Sequence, residues 1–492
     1  MKRILAVILV TVGAAACSDS LPVTPVAPSP GTVTSATIVG GDIIVTSSND
    51  DGPGSFRDAI AQANGNVAIQ SIGFHPSVHT IHLQSGITYG GTQDLIVNAN
   101  GSTLDGSATA FGTTAFSATG GGDLTIIGLK VRNAKAQGIQ VDVPGAATGI
   151  INLVLTNVDI IGSGGHGFLV NDQDNPVVPD TDPPTPPDPA GSAAGLNVTI
   201  TSSGFLRNGN TPGLSVSDND GVRINEGGDG DLSFTFHSSR ANENGADGVE
   251  LDERGNGDVI LDVANATFNG NGPFDTSDLD DGFDIDEAND GSIRGTVRSS
   301  VASHNFEEGL DFNENDNGDL RVDLVDVEAS WNREEGIDYE EDDDFPASNI
   351  GATGHLVATM TRVKAIGNGV DGGDGGLKIR EKQGGNLTVT LTDIIANGNF
   401  TSGIFVRESS GGGAAATITG AVASGNRATS GNGDGIELEG SFTTPLITNT
   451  TVSANDGFGV RADAGTVTLS GVKGGGNDSG PSGGGATFVI VP

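Results

Sequence analysis

Residues 309–319 read GLDFNENDNGD, and close variants stand at 221–231 (GVRINEGGDGD), 248–258 (GVELDERGNGD), 282–292 (GFDIDEANDGS) and 336–344 (GIDYEEDDD). Each copy opens on a glycine. The residues one and three after it are apolar, as in Val222/Ile224, Val249/Leu251, Phe283/Ile285, Leu310/Phe312 and Ile337/Tyr339. Those two and four after it are mostly polar or charged. A period of two marks a strand with one buried face. The template continues at Gly376, Gly403 and Gly435, so that successive copies are 27, 34, 27, 27, 40, 27 and 32 residues apart. More degenerate copies begin at Gly138 and Gly167, and a later one at Gly459. A Gly-rich corner and a second alternating strand follow each copy, as at 258–263, 319–324 and 386–391. A third short run then reaches an Asn turn (Asn244, Asn305, Asn332, Asn399) four residues before the next glycine.

No helix of useful length fits between these strands. Short strands joined by tight corners at a recurring period wind into a coil whose equivalent strands stack in parallel, about 4.8 Å apart. The pattern resembles the right-handed parallel β-helix of the pectate-lyase-like superfamily, over roughly residues 95–475. The expected fold is all-β, a single right-handed solenoid of about 27-residue coils with a short N-terminal capping helix. The resemblance speaks to fold rather than activity.

The helix is expected at 54–65, where Ser55 and Asp58 form a capping box and Phe56, Ala59, Ile60 and Ala63 share a face that covers the first coil's open edge. This segment and the IGFHPSVHTIHLQSG after it resemble the entry segment of bacterial surface β-helix proteins. The expected divisions are a signal peptide at 1–16, a Pro/Ser/Thr-rich tether at 17–36, a cap with first strands at 37–110, the β-helix at 111–475 and a Gly-rich tail at 476–492. A Pro-rich stretch at 171–195 interrupts the repeat and reads as a loop thrown out of one coil.

The first residues read as an address. Lys2 and Arg3 precede an apolar run too short to span a bilayer, followed by Ala14-Ala15-Ala16-Cys17. Small residues running into the chain's single cysteine resemble the lipobox of bacterial lipoproteins. That resemblance implies cleavage before Cys17, a lipid on Cys17, and a cell-envelope location; Ser18 in place of Asp points to the outer membrane. The lipid would be the protein's only hold on a membrane. Charge is 23 basic against 63 acidic residues, −40 in all, which opposes nucleic-acid binding and favours cations. The chain is expected to be a monomer.

The fifth residue after the glycine is Glu226, Glu253, Glu287, Glu314, Glu341, Glu381 and Glu408 in seven consecutive copies. Stacked, these carboxylates repel one another by roughly 1 kcal/mol per neighbour in water and more when buried. Protonation, backbone donors at the corner, or bound cations would relieve them. Four copies continue E-x-x-[DN]-G-[DS], adding Asp229/Asp231, Asn256/Asp258, Asp290/Ser292 and Asn317/Asp319. Oxygen ligands on a Gly-containing loop suit Ca²⁺, so Glu226, Asp229, Asp231, Glu253, Asn256, Asp258, Glu287, Asp290, Glu314, Asn317, Asp319 and Glu341 are the candidate calcium ligands. The competing reading is that the glutamates cap corner amides and that Asn, Asp and Gly are ordinary turn residues.

On the outward positions, Glu250/Asp252, Asp284/Asp286, Asp311 and Asp338/Glu340 form an acidic strip, and Lys378/Arg380 and Arg407 follow. Asp338 should pair with Lys378 and Glu340 with Arg380 across strands. The strip would otherwise suit a basic surface partner. Polygalacturonase-type hydrolases resemble one another in an NTD, a paired Asp, a GHG and an RIK. Here Asn157-Val158-Asp159 and Gly165-His166-Gly167 lack the paired Asp between them, and Lys378-Ile379-Arg380 reverses the basic pair. His166 therefore reads as a corner residue, and no catalytic set emerges. Two functions stay open. One is a non-catalytic cell-surface lipoprotein for adhesion or envelope polysaccharide interaction, stabilised by calcium. The other is a lyase or glycoside hydrolase of acidic polysaccharide.

Overall fold

A computed structural model describes residues 42–172, 191–209, 219–273, 280–342, 354–382, 384–409, 411–429 and 432–491. Cys17, the expected signal peptide and the tether lie outside them. Three parallel sheets of 16, 14 and 14 strands run the length of a right-handed parallel β-helix. One coil shows the order: Val222–Glu226 in sheet II, Leu232–His237 in sheet I, Arg240–Asn242 in sheet III, then Val249–Glu253 one coil above the start. The repeat template is sheet II. Its register is strict, with Val222 opposite Val249 and Val249 opposite Phe283.

Two left-handed backbone positions make the corners of a typical coil. Between sheets I and III the position falls on Ser238, Asn265, Ser299, Asp326, Arg362, Asp393 and Asn449, with φ from 51° to 56°. Such φ values strain most side chains but reverse the chain within a residue or two. The template glycine is required by a close approach. A Cβ on Gly248 would lie 2.3 Å from the Gly282 carbonyl and 2.8 Å from Asn271 Nδ2.

That amide belongs to a ladder. Asn208, Asn244, Asn271, Asn305, Asn332, Asn368, Asn399, Asn426, Asn455 and Asn477 stack, each donating Nδ2–H to the next Oδ1 at 3.0–3.3 Å. Each Nδ2 in the ladder also donates to a main-chain carbonyl of a neighbouring coil, as Asn244 does to Phe205 O at 3.2 Å. Buried corner amides are thereby satisfied coil after coil. Only some of these asparagines stand four residues before a glycine, because chain is inserted between the asparagine and the glycine in the longer coils.

The core is a column of stacked apolar side chains. Phe268 and Phe283 lie 5.2 Å apart and nearly parallel, and Phe312 meets Tyr339 at 5.5 Å. The capping helix is Phe56–Gly65. Ser55 accepts from Asp58 N at 3.1 Å, and Phe56 packs on Phe74 at 5.0 Å.

Coils extend beyond the boundaries read from sequence. Ile43–Val45 already pairs with Ser71–Phe74. In the expected tail, Gly480–Gly483 and Thr487–Val491 form the last strands of sheets II and I. Those strands replace the acidic template with Gly, Ser, Thr and apolar residues, which hid them. The expected loop at 171–195 is narrower, since strands Phe168–Asp172 and Ala193–Thr201 claim its ends. Among the described residues no helix is long and apolar enough to cross a membrane.

Candidate functional site: the two faces of sheet II

Parity places the fifth residue after the glycine with the apolar ones, facing inward. The glutamates align as the repeat requires: Glu226 opposite Glu253, then Glu287, Glu314, Glu341, Glu381 and Glu408. All seven are buried. In six of them, Glu226, Glu253, Glu287, Glu314, Glu381 and Glu408, one oxygen is capped by amides of the glycine corner. Gly228 N donates to Glu226 at 3.1 Å, Gly255 N to Glu253 at 3.0 Å, Gly291 N to Glu287 at 3.1 Å and Gly318 N to Glu314 at 2.7 Å. Glu381 and Glu408 each accept two such bonds, from Gly384 and Gly385 and from Gly411 and Gly412. The second oxygens of Glu226, Glu253 and Glu287 are buried and meet no other donor. Burial, with the neighbouring Glu253 next in importance, pushes Glu226 up to about 10. Burial also raises Glu253, to about 7, while hydrogen bonds from Glu226 and Glu287 hold it down. Glu287 is driven well above the carboxylate range by burial and then by the Glu314 charge. Burial thus favours the neutral form of Glu226 and Glu287. Corner amides and retained protons together relieve the repulsion in this part of the column.

The Asp and Asn residues that follow the glutamates turn the other way. Asp229, Asp231, Asn256, Asp290, Asn317 and Asp319 are exposed, and Asp258 is partly so. They form a separate surface ladder. Asn256 Nδ2 donates to Asp229 at 2.7 Å, Asn317 Nδ2 to Asp290 at 2.9 Å and Asp258 N to Asp231 at 3.1 Å. The structure thus splits the expected calcium set into buried glutamates and solvent-facing corner residues and does not assemble it around one centre.

The outer face carries a different acidic array. The residue before each template glycine is Asp220, Asp247, Asp281, Glu308 and Glu335, a column that reading forward from the glycine missed although five successive copies show it. These carboxylates also cap amides: Asp220 accepts from Asp247 N at 3.0 Å, Asp281 from Glu308 N at 2.6 Å and Glu335 from Asp374 N at 2.7 Å. Beside them stands a second column, Arg223, Glu250, Asp284, Asp311, Asp338 and Lys378, two residues after each glycine.

The strip has three zones. At its lower end Arg223 reaches Glu250 at 2.5 Å, Asp252 at 2.8 Å and Asp220 at 3.8 Å. Burial pushes Asp252 up, but the Arg223 and Arg254 guanidiniums prevail and hold it below the usual range. At the upper end Lys378 bridges Asp338 and Glu340, both at 2.5 Å, with Glu335 at 3.9 Å. Arg380 meets Glu340 at 2.6 Å and Lys382 approaches it at 3.4 Å. Both cross-strand pairs expected from sequence are formed. Burial opposes ionisation of Glu340, yet Lys378 and then Arg380 bring it down to about 2. In the central zone Asp281, Asp284, Glu308 and Asp311 form no ion pair with any described Lys, Arg or His. Burial, reinforced by the other carboxylates, drives Asp281, Asp284 and Glu308 well above the carboxylate range.

The candidate catalytic fragments do not converge. His166 is buried at a corner, where Nδ1 accepts from Asp220 N at 3.1 Å. Asn157 is a left-handed corner residue and Asp159 lies in sheet III. Ile379 points into the core between the paired Lys378 and Arg380. Phe405, next to Lys378 in sheet II, is buried. The rings of Phe306 and Phe400 lie under the guanidiniums of Arg333 and Arg427, about 5 Å away.

No protein-family model matches the chain, and no curated protein matches it. Solved structures to which the chain is similar include pectate lyase Pel9A, at 18% identity over 65% of this chain and 76% of that one, with a TM-score of 0.36. Tailspike protein 3 of bacteriophage CBA120 is 12% identical over 91% of this chain and 59% of its own, with a TM-score of 0.38. PfbA, a surface adhesin of Streptococcus pneumoniae, is 11% identical over 91% of this chain and 93% of its own, with a TM-score of 0.28.

Proposed function

We propose that the chain is a non-catalytic β-helix of the bacterial cell envelope, held by a lipid on Cys17, whose acidic outer face on sheet II engages envelope polysaccharide or an adhesive partner. The observation that carries this reading is the occupation of the strip's bases. Arg223 and Lys378 are each locked between at least two carboxylates, and Arg380 is paired with Glu340. Lys378 is driven upward by Asp338 and its neighbours against the effect of burial, so its ammonium keeps its proton. A base that abstracts a substrate proton must first lose its own. What remains is a rigid acidic face six coils long, about 25–30 Å at the strand spacing, suited to an extended partner.

Incubating the mature chain with polygalacturonate, with and without Ca²⁺, tests this. The expected result is co-sedimentation with intact polymer and no new reducing or unsaturated ends. Appearance of such ends, lost in Lys378→Met or Asp311→Asn, would establish the lyase or hydrolase reading instead.

A further inference from the structure

The column two residues after the glycine contains its own evidence for a cation position. Arg223 and Lys378 stand at its two ends, and four acidic residues, Glu250, Asp284, Asp311 and Asp338, lie between. The outer two are ion-paired with the flanking side-chain cations, Glu250 with Arg223 and Asp338 with Lys378. The inner two are not. Asp284 Oδ1 and Asp311 Oδ1 are buried and meet no hydrogen-bond donor. Beside them, the Glu308 side chain is only 8% exposed, with no donor or cation among the described residues. Asp281 offers one oxygen to Glu308 N and is common to two triads, Asp281–Asp284–Asp311 and Asp281–Glu307–Glu308. In each triad one oxygen per residue lies within 4.8 Å of the others.

We propose that this central cleft is a divalent-cation site of the Ca²⁺ class, with Asp281, Asp284, Glu308 and Asp311 as ligands and Glu307 at its rim. The cation takes the place that a guanidinium holds two coils below and an ammonium two coils above. A buried carboxylate needs a partner, and removing charges from water without one is expensive. The donors are all hard oxygens on two adjacent coils. That suits the larger and geometrically tolerant Ca²⁺ better than Mg²⁺, which demands a near-octahedral shell. The site stands whether or not the face engages a glycan.

Isothermal titration of the chelator-treated mature chain with CaCl₂, and with MgCl₂ as control, tests the proposal. Ca²⁺ is expected to bind in preference to Mg²⁺. Asp281→Asn and Glu308→Gln should each weaken it by roughly tenfold or more, while Asp229→Asn and Glu253→Gln leave it unchanged. Asp311→Lys places an ammonium in the gap. It should abolish Ca²⁺ binding and give a protein whose thermal stability in EDTA matches that of the calcium-loaded wild type. Absence of Ca²⁺ binding, or binding that survives Asp281→Asn and Glu308→Gln, overturns the proposal. So does an Asp311→Lys protein that still takes up Ca²⁺ with wild-type affinity.

Discussion

Sheet II carries carboxylates on both faces, a few ångströms apart, and the two stacks are relieved in different ways. Inside, burial raises Glu226, Glu253 and Glu287, and each takes an amide from a glycine corner. Outside, the Arg223 and Arg254 guanidiniums hold Asp252 ionised and Lys378 and Arg380 hold Glu340 ionised, while Glu250 and Asp338 are ion-paired with Arg223 and Lys378. The same repulsion thus meets two remedies, set by what each face can reach. The interior offers backbone donors at the glycine corners. The outer face is served by side-chain cations at its two ends and, in the proposed reading, by a metal ion between them.

Charge reversal separates the two faces most sharply. Glu253→Lys buries an ammonium against corner amides that already point their N–H groups at the site. It should destabilise by more than about 4 kcal/mol or prevent folding, read as loss of a cooperative unfolding transition. Asp311→Lys, on the opposite face of the same sheet, should raise the melting temperature in EDTA. Next in size is Lys378→Met, which strands Asp338 and Glu340 and should cost about 3–5 kcal/mol in denaturant unfolding. That loss should be partly recovered by added Ca²⁺.

A smaller effect follows from the interior protons. Folded Glu226 and Glu253 titrate at about 10 and about 7, against about 4.5 for an ordinary glutamate. Between those values the unfolded chain has released protons that the folded chain retains. Their stabilisation is therefore complete below about pH 4.5 and is lost as pH rises through about 7 and then 10. The melting temperature in EDTA should fall between pH 5 and pH 9, and Glu253→Gln should flatten that slope. Smallest is Asp229→Asn in the exposed corner ladder, expected to leave the melting temperature unchanged.

Much of this was legible beforehand. The 27-residue period, the apolar parity and the alignment of seven glutamates fixed the solenoid, its template strand and the capping box at Ser55 and Asp58. The inward course of the glutamates was also legible, since positions one, three and five share parity. Joining them to Asp229 or Asn256 carried the ladder across a corner, where parity no longer holds. The column at Asp220, Asp247 and Asp281 was visible one residue upstream of each glycine, but only its burial and packing give it meaning. The amide caps were not legible at all, because backbone donors leave no mark on residue identity. The last coil escaped because Gly480–Gly483 keeps the shape of the template without its residues.

The most direct measurement is the melting temperature of wild type, Glu253→Gln and Asp311→Lys, each in EDTA and in millimolar Ca²⁺ at neutral pH. A ligand that binds only the folded chain raises that temperature. The expected result is a calcium-specific rise that Glu253→Gln retains and Asp311→Lys lacks. Loss of the rise in Glu253→Gln, with Asp311→Lys behaving as wild type, would move the cation to the interior column and contradict the division between the two faces.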